Sequence, residues 1–202
     1  MLTIGQNAPQ FTKLSNISVN TSIEEAFPTV SYTKDDKGDM NFRVFVKETG
    51  KEIKNESGKW LVLFAYPKDF TFICPTEIKA FGDLNEDFED RDTNVVGFST
   101  DNEFVHRAWR MDNEDIKDVP FPLVADTNAS LAKELGIYND EEGVAERGTF
   151  IIDPQGVIRH VSINDGSVGR NPQEILRILD ALQTDELCPC NWKEGDDTIK
   201  PE

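Results

Sequence analysis

Residues 61–75 read LVLFAYPKDFTFICP, and this stretch indicates both a fold and a reactive group. The apolar run 61–66 is rich in branched and aromatic residues and ends at Pro67, as expected of a buried strand. Apolar side chains then recur at roughly helical spacing after Cys74, at Ile78, Phe81, Leu84 and Phe88. Cys74 therefore lies near a strand-to-helix junction, where unpaired backbone N–H groups and the positive end of the helix dipole favour a thiolate.

Strands and helices alternate through the middle of the chain, and a hairpin and a final helix follow. This order favours an α/β fold with a central mixed sheet and helices on both faces. Gly136 is placed to end one helix, and Asn171 to cap the start of the last one. The predicted elements are strands at 94–99 and 121–125, helices at 103–111 and 131–135, a hairpin of 149–153 with 157–162, and the helix after Asn171.

The chain of 202 residues is long enough for one sizeable domain, and nothing in its composition argues for two. We expect this domain to span residues 1–192 and a polar tail to occupy residues 193–202. The segment 16–57 has mixed character, with a hairpin predicted from 29–32 and 41–46. The helix at 103–111 presents Phe104, Ala108 and Met111 on one face.

The charge balance narrows the possible partners. With 21 basic and 38 acidic residues the net charge is −17, which opposes binding to nucleic acid or to an anionic membrane. No apolar segment is long enough to span a bilayer, and the first residues lack the features of a secretory signal, so we expect a cytoplasmic protein. In that reducing compartment the three cysteines are interpreted as reactive thiols.

Two motifs resemble those of a known family. The spacing Pro67-x-x-x-Thr71-x-x-Cys74 resembles the active-site motif of peroxiredoxins, and residues 69–77 resemble its typical two-cysteine branch. Residues 185–192 read DELCPCNW and resemble the resolving-cysteine segment of the same branch. The resemblance implies a thioredoxin-like fold.

The resemblance also implies roles for the residues of the first motif. Cys74 is the expected peroxidatic cysteine, which attacks hydrogen peroxide, an alkyl hydroperoxide or peroxynitrite and becomes a sulfenic acid. The Thr71 hydroxyl approaches the sulfur if the first turn is helical, and Pro67 shields the pocket. Arg147 matches the family's distant arginine, whose permanent charge holds thiolate and peroxide. From its position, Glu77 is expected to orient that arginine.

Cys188 is the expected resolving cysteine, which attacks the oxidised Cys74 to form a disulfide. The sequence leaves open whether this bond lies within or between chains; in the family branch it joins two subunits of a homodimer, and dimers assemble into rings. Cys190 departs from the commonest pattern and resembles the three-cysteine type of alkyl hydroperoxide reductase (AhpC). It is then either a relay to the reductant or a spectator.

The reducing electrons are expected to come from a partner protein, because no nucleotide, flavin or nicotinamide motif is visible in the sequence. We therefore expect no cofactor and no bound metal. The resemblance implies a reductant that is AhpD-like, thioredoxin-like or AhpF-like.

Other functions remain as alternatives. A thioredoxin-like oxidoreductase would require Cys-x-x-Cys at the helix start, where Thr71 occupies the first position. A zinc module would use Cys188, Cys190, His106 and His160, but one residue between two ligands is tighter than usual. His106 is expected to pack or hydrogen-bond on its helix. A redox-sensing protein or a chaperone-like ring is the last alternative.

Overall fold

A computed structural model describes residues 1–18 and 25–201. Residues 19–24 of the segment 16–57, and the last residue of the expected tail 193–202, lie outside this range. The strands are β1 (Phe11–Asn16), β2 (Thr29–Lys34), β3 (Met40–Phe45), β4 (Glu52–Ser57), β5 (Trp60–Ala65), β6 (Thr93–Ser99), β7 (Leu123–Ala125), β8 (Tyr138–Asn139), β9 (Val144–Ala145), β10 (Arg147–Ile152) and β11 (Ile158–Asn164). The helices are α1 (Cys74–Asp83), α2 (Asn85–Glu89), α3 (Glu103–Asp112), α4 (Ser130–Leu135) and α5 (Pro172–Gln183).

Nine of these strands form a mixed sheet in the order β11-β10-β5-β6-β7-β1-β2-β3-β4, and β8 pairs with β9 in a separate two-stranded sheet. Strands β5, β6 and β7 run parallel, whereas β10 pairs with β5 in the antiparallel sense. Because successive side chains of a strand point to opposite faces, β5 contributes to two cores. Leu63 packs with α4 and the strands β1–β3, and Phe64 packs with α1, α3 and α5. The prediction of a mixed sheet with helices on both faces is confirmed.

The hairpin predicted within the segment 16–57 is confirmed as β2 and β3, which pair Val30 with Val44. The sequence did not indicate β1 or β4, which lie on either side of this hairpin in the sheet. Buried side chains of β2 and β3, such as Val30 and Phe42, belong to the core that Leu63 joins. The segment is therefore a sheet extension packed on the domain.

Helix α3 carries the three predicted side chains on one face. This face, formed by Phe104, Ala108 and Met111, is exposed; Phe104 and Met111 are 62% and 59% accessible. The buried side chains of α3 are instead His106, Trp109 and Arg110. The apolar pattern after Cys74 is also divided between two helices, since α1 ends at Asp83 and α2 begins at Asn85.

Helix α5 begins with a side-chain cap, and the chain folds back after the helix. Asn171 caps the first turn as predicted, because its side chain accepts a hydrogen bond from Gln173 N at 3.1 Å. Glu174, in the same turn, pairs with Arg177. Beyond the helix the chain folds back, and Ile199 N donates to Leu187 O at 2.8 Å.

Among the described residues, no helix has the length and apolarity needed to cross a membrane.

Candidate active site

Cys74 is the first residue of α1, directly after the loop that follows strand β5. Its side chain is buried, with 0% exposure, and it lines a cavity of about 400 Å³ together with Pro67, Thr71 and Arg147. The structure therefore brings four of the residues named from the sequence to a single cavity. Glu77 lies behind them, one turn further along α1.

Arg147 reaches this cavity from the start of β10. Its Nη1 lies 3.3 Å from the Cys74 sulfur and 2.6 Å from Glu77 Oε2, while its Nε donates to Gly166 O at 3.0 Å. Burial opposes the charge of Arg147, but the hydrogen bond to Cys74 and the charge of Glu77 outweigh it, so the pKa of the guanidinium is raised. A permanent cation is thus fixed beside the sulfur.

Arg170, which no sequence motif indicated, holds Glu77 from the other side. Its Nε and Nη2 donate to the two carboxylate oxygens at 2.8 and 3.0 Å. Its Nη1 donates to Ala65 O at 2.6 Å and to Gly148 O at 3.0 Å. Burial lowers the pKa of this guanidinium, and the paired Glu77 partly offsets that effect. Glu77 therefore lies between two arginines, as a bridge that orients both.

Thr71 differs from its expected placement. The helix begins only at Cys74, so Thr71 lies in the preceding loop and not in a helical turn. Its hydroxyl donates to Lys68 O at 2.8 Å, and the residue still lines the cavity with the sulfur. Since the hydroxyl proton is already used, its oxygen is available as an acceptor for a hydroxyl group of a ligand.

A buried pair fixes the loop before Cys74. Asp69 Oδ2 lies 2.7 Å from His106 Nδ1, and His106 Nε2 lies 3.2 Å from Val124 O. Each ring nitrogen of His106 thus has an oxygen partner, one from the loop before Cys74 and one from β7. Burial raises the pKa of Asp69, and its hydrogen bond with His106 partly offsets the rise. The expectation that His106 hydrogen-bonds on its helix is confirmed.

Cys188 and Cys190 line a different cavity, of about 690 Å³, beside helix α5. Cys188 is half-buried, with its sulfur 3.5 Å from Thr184 Oγ1, and Cys190 is exposed. All three cysteines are free thiols. The structure therefore leaves the candidate resolving cysteine outside the cavity of Cys74, and a disulfide between them requires a movement or a second chain.

The zinc alternative has no support in the geometry. Within residues 1–18 and 25–201, no group of three or more His, Cys, Asp and Glu side chains is arranged to hold a metal. His106 contacts Asp69, and neither histidine lines the cavity of Cys188.

The structure places a buried cysteine at the start of a helix, against a thioredoxin-like sheet, with a guanidinium in contact with its sulfur. This arrangement is typical of a thiol peroxidase. Comparison with known proteins agrees with this class. The profile of the AhpC/TSA family matches residues 23–161. The chain therefore belongs to the AhpC/TSA family, and it is a peroxiredoxin.

Individual relatives extend the similarity over almost the whole chain. The sequence is 49% identical to an alkyl hydroperoxide reductase C of Mycolicibacterium smegmatis over 199 residues, which cover 98% of this chain and 94% of the relative. The structure resembles Mycobacterium bovis AhpC with a TM-score of 0.77 at 42% identity, covering 96% of this chain and 99% of that one. It also resembles a reduced 2-Cys peroxiredoxin of Plasmodium vivax, with a TM-score of 0.80 at 28% identity, covering 100% and 95%.

Proposed function

We propose that this thiol peroxidase reduces hydrogen peroxide and alkyl hydroperoxides at Cys74, with peroxynitrite as a further substrate, in antioxidant defence. The observation that carries the proposal is the 3.3 Å contact between Arg147 Nη1 and the Cys74 sulfur inside a cavity large enough for a small peroxide. A cation in that position stabilises a thiolate, which is the nucleophilic form of cysteine.

In the proposed first step the Cys74 thiolate attacks the terminal oxygen of the peroxide. The S–O bond forms as the O–O bond breaks, and the electron pair leaves with the other oxygen, which takes up a proton as water or an alcohol. Arg147 stabilises the negative charge that moves from sulfur to the leaving oxygen. The Thr71 oxygen accepts a hydrogen bond from the peroxide and holds it in line for attack. Cys74 is left as a sulfenic acid.

In the proposed second step the Cys188 thiolate attacks the sulfenic sulfur of Cys74; the S–S bond forms as the S–O bond breaks, and the departing hydroxide takes up a proton from solvent as water. A dithiol protein of the AhpD-like, thioredoxin-like or AhpF-like kind then returns two electrons, with Cys190 as the relay that exchanges with it. The exposed position of Cys190, next to the half-buried Cys188, supports this order of access.

We further propose that the protein forms a homodimer and a ring of dimers. Large apolar side chains stand in solvent on the loop before Cys74 and on α3, which is unfavourable for an isolated chain. Phe72 is 93% exposed, and Phe70 is 53% exposed. With Phe104 and Met111 they supply apolar area for contact with a second copy.

A non-reducing peptide map after one equivalent of hydrogen peroxide tests the assignment of the cysteines. We expect a Cys74–Cys188 bridge that is lost in Cys74→Ser and in Cys188→Ser but forms in Cys190→Ser. Mixing two isotopically labelled chains then separates a bond between subunits from one within a subunit. If wild type forms only a Cys188–Cys190 bridge while Cys74 stays reduced, the peroxidatic assignment is wrong and the redox-sensing alternative is favoured.

A further inference from the structure

The cavity above Cys74 has an acidic rim. Among the residues that line it, Glu142, Glu146 and Asp165 are carboxylates, whereas the cations are Lys68 and Arg147. With the buried Arg147, Arg170 and Glu77 included, carboxylates still outnumber cations by four to three. The charge that an approaching substrate meets first is therefore negative.

The hairpin of β8 and β9 carries one of these carboxylates. Glu142 lies in its turn, which closes through Gly143 at a φ of +70°. The Glu142 carboxylate lies 3.6 Å from Lys68 Nζ, on the loop that leads to Cys74. The exposed cation of the rim is thus already partnered by an acid, and Glu146 is held nearby by Asn139 at 2.8 Å.

The opposite side of the rim carries Asp165, directly before the residue that accepts the Arg147 Nε hydrogen bond. Ser167 donates to Asp165 Oδ1 from its backbone N at 2.8 Å and from its hydroxyl at 2.6 Å. The side-chain bond, with the backbone bond, lowers the pKa of Asp165 below its ordinary value. This carboxylate is ionised at neutral pH.

We propose that Glu142 and Asp165 make the cavity select neutral hydroperoxides over anionic ones. The inference rests on the proposed peroxidase function and adds a substrate class to it. A hydroperoxide that carries a carboxylate brings its charge past the rim to reach Cys74 and is repelled there, whereas a neutral hydroperoxide, or peroxynitrite in its neutral acid form, is not. Repulsion between groups in solvent falls with ionic strength, so the selectivity is greatest at low salt.

The test compares two hydroperoxides that share one skeleton and differ by one carboxylate, cumene hydroperoxide and 4-carboxycumene hydroperoxide. The second-order rate constant for oxidation of Cys74 is measured with each. The quantity compared is the ratio of the anionic to the neutral rate within each variant. Glu142→Gln and Asp165→Asn each remove one rim charge. Glu141→Gln is the matched control, because it changes the net charge by the same amount from the same turn, and Glu141 does not line the cavity.

We expect each rim variant to raise the ratio about two- to threefold at low ionic strength, and this gain to shrink toward one in about 0.5 M salt. The ratio in Glu141→Gln stays at the wild-type value. An unchanged ratio in both rim variants overturns the inference, and so does an equal rise in Glu141→Gln, which would assign the effect to net charge. If wild type does not react with cumene hydroperoxide at all, the proposed function itself fails.

Discussion

Both oxygens of the Glu77 carboxylate are bound by Arg170, at 2.8 and 3.0 Å, and only one of them is shared with Arg147. Arg170 therefore fixes the orientation of the carboxylate, and the carboxylate fixes Arg147. Arg147 is the cation that contacts the Cys74 sulfur. Arg170 is therefore linked to Cys74 indirectly, through Glu77 and Arg147. We expect it to act as a positioning residue, with effects on the reaction and on folding that can be measured separately.

Replacing Arg170 with Met tests this relationship. Removing one partner from a buried ion pair costs about 3–5 kcal/mol of unfolding free energy. Misplacing a catalytic group by about 1 Å costs on the order of a hundredfold in rate. We expect both losses in Arg170→Met, measured by urea unfolding and by stopped-flow oxidation of Cys74 with hydrogen peroxide.

The control for this variant is Arg43→Met, which breaks the exposed ion pair with Glu52 on the β3–β4 hairpin. Exposed pairs contribute little to stability, so its unfolding free energy should barely change. A folded Arg170→Met protein that oxidises Cys74 at the wild-type rate would contradict the positioning role.

The Thr71 hydroxyl is expected to matter more than the shape of the side chain. Thr71→Val keeps the volume but removes the oxygen that lines the cavity, and we expect the rate of Cys74 oxidation to fall about a hundredfold. Thr71→Ser retains the hydroxyl and should stay within about tenfold of wild type, a limit set by the same electrostatic contribution. Equal rates in the two variants would show that the hydroxyl does not contact the peroxide.

Gly97, in the centre of β6, makes room for a side chain that supports the site. A Cβ there would lie 2.8 Å from Phe64 Cζ and 2.9 Å from Leu123 Cδ2. The Phe64 ring lies 5.1 Å from the Arg170 guanidinium and stacks on Phe81. We expect Gly97→Ala to cost about 1–3 kcal/mol of unfolding free energy through overpacking. Urea unfolding measures this, and a stability equal to wild type would contradict the tight packing.

His160 gives the stability a pH dependence. Burial lowers its pKa below the ordinary 6.5, and the nearby Glu174 only partly opposes this. The unfolded chain therefore binds more protons than the folded one just below pH 6.5, so stability is complete above that pH and falls as the pH drops. We expect His160→Gln to lose less stability than wild type between pH 7.5 and pH 5.5. Equal losses in urea unfolding would rule out this contribution.

The sequence predicted the central sheet well because its strands are long apolar runs with clear ends, as in β5 and β10. It did not indicate the buried face of α3, because periodicity scores arginine as polar. Arg110 is buried nonetheless, since its guanidinium donates to Ile17 O, Val119 O and Phe121 O. These carbonyls lie outside the helix and provide partners for two nitrogens of the guanidinium, and helical periodicity does not report them.

The sequence indicated only some residues of the candidate site. Cys74 follows from its position between a strand and a helix, and Arg147 from a family resemblance. Arg170 carries no such signal, because an arginine in a loop before a helix is ordinarily exposed. Its burial depends on Ala65 and Gly148, which the fold brings to it from 105 and 22 residues away.

The two arginines are synthesised long after Cys74, so a newly made chain lacks them at first. Arg147 comes 73 residues after Cys74, and Arg170 comes 93 residues after Glu77. While the ribosome is still adding those residues, the emerging thiol has neither cation beside it. Cys74 thus acquires its charged surroundings only when most of the chain has been synthesised and folded, so the arrangement that favours its thiolate is absent from an unfinished chain.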